Sequence, residues 1–237
     1  MDPRIVTFSA AGVTSRARLA VDPTRPGRRP GVVILHAFRG QGPLEVAVAQ
    51  ALAGHGFAAL AADLYGEGRL AQDTAEARAL MAPLATDRRL LRERLAATVD
   101  ALKDQPEVDP ERVGVMGFCF GGMCALEAAR ADLDVRAAVS VHGLFHPSSE
   151  PTAAAIRAKV LVLHGFDDPM ARPDAAVALA RELTAAGADW QMHMFGGAMH
   201  AFTNPGANDP AAGTVYHAPS HRRAEKAWTD FFVETLL

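Results

Sequence analysis

The stretch Gly114-Val115-Met116-Gly117-Phe118-Cys119-Phe120-Gly121-Gly122 joins an apolar run, Val113 to Phe118, to a helical stretch, Met123 to Arg130. A strand that ends in Gly-x-Cys-x-Gly and turns at once into a helix has the pattern of a nucleophile elbow, with cysteine where serine is more usual. The residue at the apex of such a turn is held in a strained backbone conformation, so that its side chain points away from the sheet edge. Glycines on either side remove side chains that would collide in so tight a bend. The N-terminus of the following helix faces the sulfur, and its partial positive charge favours a thiolate and negative charge on a bound substrate. A buried cysteine that merely packs is common, but packing alone gives no reason for Gly117, Gly121 and Gly122 to surround it.

The pattern around this turn predicts the fold. Val32 to Leu35, Ala58 to Ala62, Ala137 to His142, Val160 to His164 and Gln191 to Phe195 are further short apolar runs. Brief runs that are apolar on both faces suit a parallel sheet covered on each side by helices. Helical stretches alternate with them: Glu45 to His55, Asp87 to Lys103, Met123 to Arg130, Pro173 to about Ala186, and His221 to Leu236. Strand–helix alternation of this kind implies an α/β class with a doubly wound, mostly parallel sheet. Arg4 to Phe8 and Arg16 to Val21 read as an antiparallel pair, and Asn204 to Ser220, rich in Gly, Pro and Ala, reads as a surface loop. At 237 residues with no repeat, linker or low-complexity tract, the expectation is a single domain over 1–237.

Bulk properties narrow the function. Apolar residues make up 49% of the chain, enough for a large core and against long disorder. The net charge is −3 and Lys and Arg are scattered, so no basic stripe for nucleic acid is expected. Met1 to Ala10 reads as a polar-flanked strand without a signal-peptide core, and no apolar run is long enough to span a membrane. The two cysteines, Cys119 and Cys124, lie in one segment and do not make a disulfide framework, so a cytoplasmic location is expected. They also make a poor metal site, and no metal or other cofactor is implied.

With Cys119 as nucleophile, the remaining partners should follow in the order acid, then histidine. Val160 to His164 runs into Gly165-Phe166-Asp167-Asp168-Pro169, which leaves both Asp167 and Asp168 open as the acid. Of nine histidines, His200 lies in the loop after the next strand, in Phe195-Gly196-Gly197-Ala198-Met199-His200-Ala201-Phe202. Its neighbouring glycines allow a close approach. His36, His142 and His164 each end a strand on the same edge and could line a pocket. The backbone N–H of Phe120, the residue after the nucleophile, and that of Phe38, in the loop after the Val32 strand, are the expected oxyanion-hole donors.

Gly117-Phe118-Cys119-Phe120-Gly121-Gly122, Asp168-Pro169, Met199-His200-Ala201-Phe202 and Asp63-Leu64-Tyr65-Gly66 together resemble the dienelactone hydrolase family. The resemblance implies an α/β-hydrolase fold and a Cys-Asp-His triad falling on Cys119, Asp168 and His200, with Asp168 preferred over Asp167. It implies hydrolysis of small esters or lactones through a thioester, with a small-molecule substrate and a monomer or homodimer. Two positions depart from the family pattern. Ala37 stands where dienelactone hydrolases proper carry a Glu that contacts the nucleophile. Asn204 stands where an Arg helps hold the substrate carboxylate, which leaves Arg39 as the alternative source of charge. An uncharged ester, in a pocket lined by His36, Ala37, Arg39, Phe202 and Asn204, is therefore expected, with activated phosphotriesters as a slow side substrate. An acyltransferase, a redox thiol protein using Cys124, and a silent binding module on the same fold are the rival readings.

Overall fold

The computed structural model describes residues 2–153 and 155–237; Met1, at the start of the first expected strand, lies outside them. The sheet has eight strands: β1 (Arg4–Ala10), β2 (Val13–Ala20), β3 (Arg29–Leu35), β4 (Ala58–Ala61), β5 (Val108–Phe118), β6 (Ala137–Val141), β7 (Lys159–Gly165) and β8 (Trp190–Phe195). Their spatial order is β1-β2-β4-β3-β5-β6-β7-β8. β1 and β2 pair antiparallel and β2 meets β4 antiparallel; from β4 to β8 every pairing is parallel. This is the mostly parallel α/β-hydrolase sheet.

Alternation along the strands sends residues to two cores. Val33, Leu35 and Val115 face one side, which is covered by α2 (Thr74–Thr86), α3 (Arg88–Lys103), α4 (Phe120–Arg130) and α5 (Pro173–Ala185). Val32, Ile34 and Met116 face the other, under α1 (Pro43–Gly54) and α6 (Ala218–Leu236). Strands buried on both faces are mostly apolar, which is why β4 and the Val32–Leu35 part of β3 read as hydrophobic runs, while β6 admits one buried polar residue, Ser140. β8 departs from that expectation. It lies at the sheet edge, and its residues are half-buried or exposed.

Two further differences from the sequence reading are instructive. α2 is unanticipated, although Asp73 caps it by accepting the Glu76 N–H at 2.9 Å. The segment from Asn204 to Ser220 is not wholly loop. It contains a small hairpin, β9 (Asn208–Asp209) with β10 (Thr214–Val215), and the first turn of α6. No helix among the described residues is long and apolar enough to cross a membrane.

β3 neighbours β4 on one side and β5 on the other, so the chain reverses its winding direction between β3 and β5. Crevices at such switch points, beyond the carboxyl ends of the strands, are where open α/β sheets bind ligands. Phe38 follows β3 and Cys119 follows β5.

Candidate active site

Cys119 sits between the end of β5 and the start of α4 with φ 54° and ψ −113°. A positive φ in a non-glycine residue is costly and persists only where the surroundings fix it. Here the Cys119 N–H is shared between the Val141 carbonyl at 3.1 Å and the His142 Nδ1 at 3.2 Å. The flanking glycines leave no room for a side chain: a Cβ on Gly117 would lie 2.2 Å from the Gly121 carbonyl oxygen, and one on Gly121 would lie 2.1 Å from that of Leu35. Both obstacles are backbone and cannot swing aside. Gly121→Ala is therefore expected to destabilise the fold by about 3 kcal/mol, the upper range for forced overpacking, read as a lowered urea midpoint. A midpoint within error of wild type would show the turn to be looser than this geometry requires.

Beyond β7, the chain separates the two candidate acids by direction. Asp167 is exposed and its carboxylate accepts the Gly197 N–H at 2.8 Å. Asp168 is 1% exposed; its Oδ1 accepts the Met170 N–H at 2.8 Å, and its Oδ2 accepts the His200 Nδ1–H at 2.8 Å. Gly165 makes this approach possible, because a Cβ there would lie 2.4 Å from the Ala198 carbonyl oxygen of the histidine loop.

His200 is fixed at its backbone by the hairpin that the sequence reading treats as loop. Its N–H donates to the Gly213 carbonyl at 2.9 Å, and its carbonyl accepts the Val215 N–H at 3.0 Å. With Nδ1 engaged by Asp168, the buried Nε2 has no protein hydrogen-bond partner among the described residues and faces the Cys119 sulfur. Burial pulls the His200 pKa down, but the Asp168 hydrogen bond and the Cys119 sulfur outweigh it and push it up to about 10. The structure thus brings Cys119, His200 and Asp168 into one cluster. Cys124 is buried inside α4, where desolvation pushes its thiol well up, and both cysteines are free.

The remaining residues expected near the site divide differently. Neither Phe38 nor Phe120 donates its backbone N–H to an acceptor among the described residues, and both lie at the switch-point edge. Ala37 is half-buried, with its N–H on the Glu45 carboxylate at 3.1 Å. Three expected pocket residues are otherwise engaged. Arg39 turns its guanidinium onto the Ala71 carbonyl, at 2.7 Å, and that of Gln72, so it is held as a loop brace. Phe202 is fully buried, packed edge-on against His142 and Phe195, and so supports the site from beneath instead of lining it. His36 is likewise fully buried with both ring nitrogens bonded to the protein. Asn204 is exposed, its side-chain oxygen accepting the Gly206 N–H at 3.0 Å.

His142 plays a larger structural part than a strand-end histidine suggests. Since its Nδ1 accepts from Cys119, its proton is on Nε2, which donates to Thr203 Oγ1 at 2.9 Å. Its ring meets that of His200 edge to face at 5.2 Å. Burial, reinforced by His200, holds its pKa well below the usual histidine range, so it stays neutral beside the cluster. The ring thereby ties the cysteine turn to the loop that carries His200. The only sequence signal for this was its place at the end of an apolar strand.

Comparison with known proteins agrees with this architecture. Residues 16–236 match the model of the dienelactone hydrolase family. A dienelactone hydrolase-like promiscuous phosphotriesterase, P91, from metagenomic libraries superposes with a TM-score of 0.95 at 35% identity, covering 99% of this chain and 98% of that one. A structure named m3DLH gives 0.94 at 36% identity, with the same coverage. Among curated relatives, a protein of Aquifex aeolicus provisionally named a carboxymethylenebutenolidase is 30% identical over 95% of this chain and 94% of its own length.

Proposed function

The chain belongs to the dienelactone hydrolase family and is a hydrolase of that type, and on that premise we propose that it cleaves small carboxylic esters or lactones with Cys119 as nucleophile. The observation that carries this reading is the buried Asp168–His200 pair whose free Nε2 faces the sulfur at a strained turn.

His200 takes the Cys119 proton, and Asp168 fixes the ring and stabilises its charged form. The sulfur attacks the carbonyl carbon, a C–S bond forms, and the carbonyl π electrons move onto oxygen. The N–H groups of Phe38 and Phe120 receive that oxyanion. Its collapse breaks the ester C–O bond, and the departing alkoxide takes the proton from His200. Water then loses a proton to His200 and adds to the thioester. Collapse of the second tetrahedral species breaks the C–S bond and releases the acid.

The acyl partner is an uncharged one. Asn204 offers an amide where the family pattern has a cation, and the Arg39 guanidinium is held on backbone carbonyls. A neutral phosphotriester fits the same machinery, because its P–O oxygen gains charge as a carbonyl oxygen does. The resulting P–S bond has a better leaving group than the P–O bond a serine would form. The likeness to P91, a promiscuous phosphotriesterase by name, supports this side activity. The chain acts as a single domain on a small molecule in the cytoplasm, as a monomer or homodimer and without a cofactor.

The test is a substrate panel on wild type and Cys119→Ala: a neutral aryl ester, a lactone bearing a carboxylate, and a diethyl aryl phosphate. The neutral ester should show the highest kcat/KM, and the phosphate should release several equivalents of phenol per enzyme. A clear preference for the charged lactone overturns the neutral-substrate reading. Phenol release that stops at one equivalent removes the phosphotriester activity.

A further inference from the structure

The loop after β3 is held peptide by peptide. The Ala37 N–H donates to Glu45 Oε1 at 3.1 Å. The Ala37 carbonyl accepts both the Gly40 N–H at 3.2 Å and the His36 Nδ1–H at 2.8 Å. The next carbonyl, that of Phe38, accepts the Tyr65 hydroxyl at 2.9 Å. The Ala37 carbonyl and the Phe38 N–H are the two ends of one planar peptide unit. A group that fixes the direction of the first therefore fixes the direction of the second.

His36 is built for that task. The Leu64 N–H donates to its Nε2 at 3.2 Å, which requires the ring proton to sit on Nδ1 and leaves Nδ1 free only to donate. The ring is fully buried, edge-on to Tyr65 at 4.4 Å and tilted against Phe120 at 6.2 Å. Burial lowers its pKa, so the neutral tautomer persists. Two hydrogen bonds to one carbonyl also polarise the peptide, which strengthens its N–H as a donor. Tyr65, from the Asp63-Leu64-Tyr65-Gly66 segment, braces the following peptide and packs on His36, so one segment supports the loop at both points.

We propose that His36, braced by Tyr65, is a positioning residue that aims the Phe38 N–H at the oxyanion formed on the substrate. This rests on Cys119 as nucleophile and Phe38 as an oxyanion donor. The alternative is that His36 is only a satisfied core histidine. The two differ in what they do to steps that need the sulfur but no oxyanion.

The experiment compares wild type, His36→Leu, His36→Gln and Tyr65→Phe by three measurements. These are kcat and KM for a neutral aryl ester, Ki for a trifluoromethyl ketone that forms a tetrahedral adduct, and the rate of Cys119 alkylation by iodoacetamide. Loss of a whole oxyanion donor costs about 100–1,000-fold in kcat, so misaiming one should cost about 30-fold. His36→Leu should show that loss in kcat with KM little changed, a Ki weakened in step, and alkylation as in wild type. His36→Gln, which keeps a donor, should recover much of the rate, and Tyr65→Phe should show a smaller loss of the same pattern. Unchanged kcat in His36→Leu, or alkylation falling in step with turnover, overturns the proposal. Should His36→Leu fail to fold, Tyr65→Phe carries the test: kcat lowered with alkylation unmoved supports it, and unmoved kcat overturns it. If iodoacetamide modifies wild-type Cys119 without stopping turnover, it is the assignment of Cys119 that fails, and the proposal falls with it.

Discussion

Cys119→Ala is expected to lose about 10,000-fold or more in kcat on a neutral ester, the scale on which removing the nucleophile of a coupled triad is felt, while unfolding at the wild-type urea concentration. The second half of that expectation follows from the turn. The strain at φ 54° is imposed by Gly117, Gly121 and the bonds of the Cys119 N–H, none of which involve the sulfur. Alanine keeps the Cβ and suffers the same backbone cost as cysteine. What disappears is the atom that forms the acyl bond. Cys119→Ser should be folded and slow, since a hydroxyl needs far more help from its base than a thiol does. Mass spectrometry of the wild type quenched during turnover should show the acyl mass on the peptide containing Cys119. Ester hydrolysis within a few-fold of wild type in the alanine variant, with no acyl mass on that peptide, would end the cysteine-nucleophile reading.

The parts of this molecule that were legible in the sequence are those whose cause is local. The Gly-x-Cys-x-Gly turn announces itself because each glycine answers to a backbone atom a few residues or one strand away. The doubly wound sheet is legible because strands buried on both faces are mostly apolar, with few exceptions such as Ser140 and His164. Legibility ends where a side chain's direction is decided by distant partners. Asp167 and Asp168 are neighbours, and only the approach of the His200 loop, arranged through Gly165 and the β9–β10 hairpin, makes one buried and the other exposed. His36, Arg39 and Phe202 are expected from the sequence as pocket residues, yet each turns inward or sideways to a carbonyl or an aromatic neighbour. α2 was missed for a different reason. It is rich in alanine, interrupted by Pro83 and only weakly amphipathic, so its cap at Asp73 was its one firm signal.

His200→Ala and Asp168→Asn should each be costly and together cost little more than His200→Ala alone. Triad losses of this kind are about 10,000-fold for the orienting acid and larger for the base, and they do not add, because the acid works only through the base. The 2.8 Å bond from His200 Nδ1 to Asp168 Oδ2, in a site that excludes water from both side chains, is the physical form of that dependence. Additive losses would mean that Asp168 acts independently of the histidine. Asp167→Asn, which disturbs a bond to the Gly197 N–H, should cost far less; if it is the worse of the two, the acid has been assigned to the wrong carboxylate. The pH dependence gives a second reading of the same pair. His200 is raised from 6.5 to about 10 although burial works against it, so the protonated ring is the form the folded site favours. Its stabilising contribution is complete below pH 6.5, declines above it and is gone once the pH has passed 10. The proton needed by the leaving alkoxide is lost over the same upper range, which places the alkaline limb of the kcat/KM profile near pH 10. Asp168→Asn removes the leading upward influence on His200 and should move that limb to lower pH. A limb that stays in place in the Asp168→Asn variant would assign it to a group other than His200.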